Sequence, residues 1–538
     1  MRITGKTRLA PLAISLGLIF SIIPNLAPAQ AENLIDEQFQ VQSPGGPGYT
    51  GYLVNNTRSL VRFYSFLATF KADNQRIVGM KPCNGLDECP KEFSGQVADI
   101  NLTLCSNAME ENCIRGVRAT NLQTKKVITK FIPRPEVTQD FKAKIKGSPE
   151  VDLPNGGNPL VVSIPDAPHV GGDLYLIKSD YYAKRKSPTE KFKLDLITNG
   201  IYPITIENGQ FEGGGPNLDP RAYVGQGYSG GGNNPPPYLN GYITDPRCLM
   251  ATKTICLVPQ AFPENFSFGI TLRANQGFTS WLYGRLANPV VTVSKAKVDD
   301  KAMLINIDAE PVKVPLVYGW AKNSALPMQM LSNYDQDRGG GLYYGENRGA
   351  PLDSISILKG HSNKYDDSGI EEMLAWMPLL GDKAAAMPSQ WSFQTLVLGS
   401  NTAAKLSKCT TTGASLSGLI FTNASVFSSG APTFDSNSGS LDYKVAAPHF
   451  KANGDLMAGS YDLVLSSTVA RCLYGFTKAP IGAKISIINA DGTNQVATTI
   501  ISEKDGFFRM GAYGFGFSSP TIKIKITQVK AVIPKKKG

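Results

Sequence analysis

The chain has 538 residues, 42 % of them hydrophobic, with 54 Lys and Arg against 44 Asp and Glu. That balance belongs to a globular protein rather than a disordered one, and the mild basic excess forms no sustained basic-aromatic stripe, so nucleic acid is not an expected partner. The 53 glycines and 36 prolines favour short elements joined by turns, which argues against helix bundles and for β architecture.

Residues 1–31 read as an export signal. Arg2, Lys6 and Arg8 form a basic start, residues 9–23 are largely apolar, Pro24 breaks the run, and Ala29-Gln30-Ala31 offers a small-x-small cleavage pattern. The run is shorter than the roughly 20 residues that span a bilayer. Removing the leader takes away three basic residues and leaves a net charge of +7. No second run approaches membrane length, so the mature chain is expected to lack a transmembrane anchor and to be secreted or held at the cell surface without one.

Residues 32–150 form a cysteine-containing β unit, with strands expected near 61–67 and 99–104 and alternation at Val127, Thr129 and Phe131. A turn-rich segment at 152–159 opens a second β unit, 151–300. It holds alternation at Leu160, Val162 and Ile164, an apolar run at 174–177, and strands near 267–272 and 281–293. Its middle, 208–240, is a Gly/Pro/Asn-rich loop. Residues 301–400 are a mixed α/β unit. Ser368 and Glu371 make a capping-box pair before a helix that Pro378 should stop, with a second turn expected at 383–386. Residues 401–530 read as a C-terminal β-sandwich: Ile522, Ile524 and Ile526 alternate with Thr521, Lys523 and Lys525, and Asp491-Gly492 marks a hairpin. A basic tail, 531–538, ends the chain. The fold class expected is mainly β, in several sandwich-like domains with one short helical insertion near 368–388.

Eight cysteines, an even number, suit an oxidising compartment. The spacing pairs Cys248 with Cys256 and Cys409 with Cys472. Cys83, Cys89, Cys105 and Cys113 close among themselves, either as near neighbours or crossed. Zinc would want shorter gaps or a histidine close to a cysteine pair.

Within the last quarter, Val469-Ala470-Arg471-Cys472-Leu473-Tyr474-Gly475-Phe476, with Ser440-Leu441-Asp442-Tyr443 upstream, resembles segments of exported proteins of actinobacteria. The resemblance implies an exported β-rich protein and brings no catalytic residues.

Motifs for chemistry are sparse. Gly227-Tyr228-Ser229-Gly230-Gly231 matches a nucleophile elbow literally, but stands in the glycine-rich loop without the strand and helix that give the motif its chemistry. The three histidines, His169, His361 and His449, pair with no convincing nucleophile. Asn333, Asp335 and Asp337 place oxygen ligands as a calcium loop begins, but Arg338 stands where its glycine belongs. Calcium is the one ion this pattern suggests, and no other cofactor is expected. Trp281, Tyr283 and Arg285 share one strand face. That face either stacks on sugar rings and grips an anionic polymer, or it is core closed by the arginine.

These observations lead to a secreted or envelope-associated protein that binds or builds structure, with an anionic cell-envelope polymer or polysaccharide as the expected partner. The alternative is a secreted hydrolase working through a carboxylate pair, for which Asp335, Asp337, Asp366, Asp367, Glu371 and Glu372 are the first candidates. Sequons at Asn55, Asn101, Asn265 and Asn423 matter only if the source glycosylates them.

Overall fold

The computed structural model describes residues 49–54, 65–73, 76–83, 85–90, 95–139, 144–209, 249–251, 254–275, 281–296, 299–326, 343–344, 355–359, 368–396, 409, 416–428, 430–435, 437–451, 453–475, 477, 481–489, 492–495, 497–517 and 520–528. Among them strands take up 58 % and helices 10 %, so the protein is mainly β.

A long central sheet organises the molecule. Its strands run in the order Arg76–Cys83, Phe66–Asp73, Gly95–Asn101, Leu174–Arg185, Lys193–Asn208, Ser392–Thr395, Trp281–Arg285, Gly418–Thr422, Gly459–Ser466, Phe507–Phe515 and Thr498–Lys504. Neighbours along this path are antiparallel except Trp281–Arg285 and Gly418–Thr422, which run parallel. Strands from either side of positions 150, 300 and 400 pair directly. Cys113–Asn121 pairs with Phe266–Asn275, Ser392–Thr395 lies between Lys193–Asn208 and Trp281–Arg285, and Trp281–Arg285 pairs with Gly418–Thr422. The described residues, from Tyr49 to Gln528, belong to one compact unit.

Two further sheets pack on the central one, giving two sandwich-like layers. In the first half the cover is Ala287–Ala296, Asp299–Glu310, Phe266–Asn275, Cys113–Asn121 and Val127–Ile128. Its Phe268, Ile270, Ile305 and Ile307 meet Tyr175, Ile177, Tyr181 and Ile201 of the central sheet in one core. In the second half Ser440–Ala446, Thr521–Gln528 and Ile481–Ile488 bring Leu441, Tyr443, Ile522 and Ile524 against Tyr461 and Leu463. The period of two at 521–526 is thus expressed as written: Ile522, Ile524 and Ile526 are buried and Lys525 is exposed.

The outer face of the first covering sheet carries a polar ladder. Arg118 Nε donates to Asp308 Oδ1 at 2.5 Å and its Nη1 to Thr271 Oγ1 at 2.5 Å. Thr271 in turn donates to Asn306 Oδ1 at 2.6 Å. The arginine and aspartate stand on strands either side of Gly269, where an added β-carbon would come within 2.0 Å of Asp308 Oδ1. A side chain at 269 would force the Asp308 carboxylate to move from its present place against Arg118.

Several sequence expectations are refined. The run expected at 174–177 is a twelve-residue strand, Leu174–Arg185, buried almost throughout because both of its faces are covered. The helix Ser368–Trp376 forms, but Pro378 does not end the helical path. It sits in the first turn of a 3-10 segment, Met377–Leu380, which Gly381 terminates at a φ of 70°. No helical turn forms at 383–386. A second helix, Ser467–Tyr474, lies inside the C-terminal β region where none was expected. It buries Val469 and Ala470 and closes on left-handed Gly475. Among the described residues no helix is long and apolar enough to cross a membrane.

Three disulfides join Cys83 to Cys89, Cys105 to Cys113 and Cys409 to Cys472, which resolves the first four cysteines into near-neighbour pairs. Cys256 is also disulfide-bonded, and its strand Ile255–Pro259 pairs with Met250–Ala251. Cys248 lies outside the described residues, as do the export signal, most of the 208–240 loop and the basic tail.

Candidate functional site

The aromatic face singled out in the sequence is interior. Trp281 is fully buried and Arg285 is 3 % exposed. The Arg285 guanidinium lies 4.7 Å from the centre of the Phe427 ring and donates to the Thr422 carbonyl at 2.9 Å. Burial lowers its pKa to about 10, and burial pushes the Tyr283 phenol up to about 12, with Arg285 opposing the rise. The Tyr283 ring lies tilted against that of Phe427, with 5.2 Å between ring centres, and meets Gln394 across the strand pair. These three residues join the central sheet to the C-terminal layer, and that face is core rather than a stacking platform.

The histidines are also accounted for locally. His169 is 7 % exposed. Its Nδ1 accepts from the Gly171 amide at 3.1 Å, so its Nε2 carries the proton and donates to the Leu174 carbonyl at 3.0 Å. Burial holds the imidazole below its ordinary pKa, against the pull of Leu174 and Asp173. His449 contacts Asp382 through both its backbone amide and its ring. His361 lies outside the described residues.

So do Asn333, Asp335 and Asp337 of the calcium pattern, and Asp366 and Asp367. Glu371 and Glu372 are successive residues of the Ser368–Trp376 helix, a spacing that does not bring two carboxylates face to face. Among the described residues no group of three or more His, Cys, Asp and Glu is placed to hold a metal.

A concave site lies elsewhere, beside the Cys105–Cys113 disulfide. The cleft has a volume of about 610 Å³, and its wall includes Met109, Glu110, Asn112, Asp152, Asn155 and Lys191. Four separate stretches build it. The disulfide closes the 106–112 loop, in which Asn107 Oδ1 accepts from the amides of Met109 at 2.8 Å and Glu110 at 3.0 Å. Opposite, the turn at 147–155 is closed by Ser148 and Leu153 and passes through left-handed Asp152, φ 59°.

Glu110 is fixed at the rim. Its Oε2 accepts from the Ser106 amide and hydroxyl, both at 2.6 Å, and its Oε1 from Asn155 Nδ2 at 2.8 Å. Burial alone would raise its pKa, but hydrogen bonds from the Ser106 hydroxyl, Asn155 and the Ser106 amide outweigh it and hold the carboxyl below its usual range. Lys191 Nζ lies 3.2 Å from both oxygens of Asp152.

Comparison with family models, with curated proteins and with solved structures gives no match.

The cleft therefore has to be read from its own chemistry. Its charged lining holds Glu110, Glu111 and Asp152 against Lys191, with the amides of Asn112 and Asn155 between them. Asn112 is 8 % exposed, and its Oδ1 accepts from the Asn275 amide at 3.2 Å, which ties the loop to the covering sheet. Such a surface offers many oxygen acceptors and amide donors in a fixed frame, as recognition of hydroxyl-bearing ligands requires. Sequence reading missed it because its parts come from four distant stretches. The one signal present was the short Cys105–Cys113 spacing, which marks a stapled loop.

Proposed function

We propose that this is a non-catalytic structural or binding protein that works outside the cytoplasm, and that the cleft beside Cys105–Cys113 takes a polysaccharide or cell-wall polymer. The observation that carries the reading is Glu110: a carboxylate locked by three hydrogen bonds on a disulfide-closed loop at the cleft rim. Preorganisation of this kind spares a binding site the cost of ordering its loop. The acidic majority of the lining favours a neutral, hydroxyl-rich polymer over the anionic one that the overall charge suggests. Glu110 is unsuited to be the general acid of the hydrolase alternative at this cleft. A glycosidase acid needs a raised pKa to hold its proton at neutral pH, whereas that of Glu110 is lowered.

The test is co-sedimentation of the purified protein with isolated cell walls and a panel of insoluble neutral and acidic polysaccharides, beside Glu110→Gln. Retention on a neutral polymer, weakened in the variant and without release of soluble sugar, supports the reading. Equal retention of both proteins, no retention on any polymer, or release of sugar overturns it.

A further inference from the structure

The central sheet carries a buried constellation that takes no part in the cleft. Lys178 and Asp180 stand two residues apart on Leu174–Arg185, so they share a face, and Asn101 on the adjacent strand lies directly opposite Asp180. All three are interior, with exposures of 1 % for Lys178, 2 % for Asn101 and 4 % for Asp180. Lys178 Nζ is 3.0 Å from Asn101 Oδ1 and 2.7 Å from Asp180 Oδ1. The Nδ2 of Asn101 is buried with no hydrogen-bond partner. A primary amine thus lies within hydrogen-bond reach of both a carboxamide and a carboxylate, all three buried.

Those are the reactants and the proton carrier of an amide exchange. We propose that Lys178 and Asn101 join through an intramolecular isopeptide bond, with Asp180 as the catalytic residue that moves the protons. Asp180 takes one proton from the ammonium, leaving a neutral amine beside a neutral acid, a pairing that burial favours over two charges. The amine attacks Cγ of Asn101, and charge develops on Oδ1. Asp180 returns its proton to Nδ2, the Cγ–Nδ2 bond breaks and the Cγ–Nζ bond remains. Of the three ammonium protons one stays on the new amide and two leave with the nitrogen, so ammonium departs and Asp180 ends ionised. Atoms and charge balance without oxidant, reductant or co-reactant. The strand pairing holds the reacting groups together once the sheet has formed, so folding itself supplies the proximity that a bimolecular aminolysis lacks. The Asn101 sequon then has a different meaning, since a buried amide cannot accept a glycan.

The experiment is intact mass spectrometry and tryptic mapping of the full-length folded protein, reduced and alkylated. The wild type is expected to weigh one ammonia, about 17 Da, less than its sequence. It is also expected to resist trypsin after Lys178 and to yield a branched peptide joining Lys178 to Asn101. Asp180→Asn and Lys178→Met should carry the full mass, with folding checked by circular dichroism. Wild-type protein at full sequence mass with separate Lys178 and Asn101 peptides overturns the proposal, whatever the variants do. So does an ammonia loss that maps to a linear peptide.

Discussion

The indole of Trp281 lies so close to Gly418 on the neighbouring parallel strand that a β-carbon at 418 would sit 2.4 Å from its ring. An aromatic residue in that position is a packing element, and its removal should be read in stability rather than in affinity. Trp281→Ala is expected to lose about 3–5 kcal/mol, and Gly418→Ala about 1–3 kcal/mol, in denaturant unfolding. Their effects should be non-additive, because both act on one contact. A Trp281→Ala protein of unchanged midpoint that lost polysaccharide retention would return the aromatic strand to the surface.

Gly269 gives a paired test of the polar ladder. Gly269→Ala places a methyl where Asp308 now meets Arg118, and is expected to destabilise by about 1–3 kcal/mol. Gly116→Ala in the neighbouring strand has open space around its β-carbon and should change stability by less than about 1 kcal/mol. Chemical denaturation of both variants decides it; equal effects would mean that the Arg118–Asp308 pair contributes nothing measurable.

His169 makes stability depend on pH. Burial lowers its folded pKa below the ordinary 6.5, so the folded state holds it neutral while the unfolded chain takes up a proton first. The contribution is present above pH 6.5 and is lost as pH falls through the lowered folded value. Thermal unfolding of wild type should therefore show a decline beginning below about pH 6.5 that is reduced in His169→Gln. Parallel profiles for the two proteins would remove this role.

At the cleft, Glu110→Gln keeps the shape but replaces a charged acceptor. It is expected to cost about 1 kcal/mol or less in stability, while weakening retention on the bound polymer several-fold. Because the Glu110 pKa is depressed, wild-type retention should persist as pH falls through the ordinary carboxylate range and fail only below it. Loss of retention already near pH 6 would assign it to another group.

Much of the fold was legible locally. The alternation of Ile522, Ile524 and Ile526 specified a strand with one wet face, and the close spacing of Cys83 with Cys89 and of Cys105 with Cys113 allowed bridges that the fold makes. What the sequence could not carry is long-range. Placing Trp281, Tyr283 and Arg285 on one face says nothing of which layer lies over that face, and here the layer is the C-terminal sheet that carries Phe427 and Tyr443. Ser392–Thr395 entering a sheet between strands some hundred or more positions earlier leaves no trace in composition. The Ser467–Tyr474 helix was hidden for a different reason. Thr468, Val469 and Tyr474 are weak helix formers, and burial of Val469 and Ala470 overrides them. The cleft and the Lys178–Asn101 pair were invisible for the same topological reason, since their members meet only after the sheet has closed.

The measurement that reaches furthest is N-terminal sequencing and non-reducing peptide mapping of the protein taken from its native source. The account expects a chain beginning just after Ala31, with Cys83 joined to Cys89, Cys105 to Cys113 and Cys409 to Cys472. A retained leader together with free thiols at those positions would place the protein in a reducing compartment and contradict it.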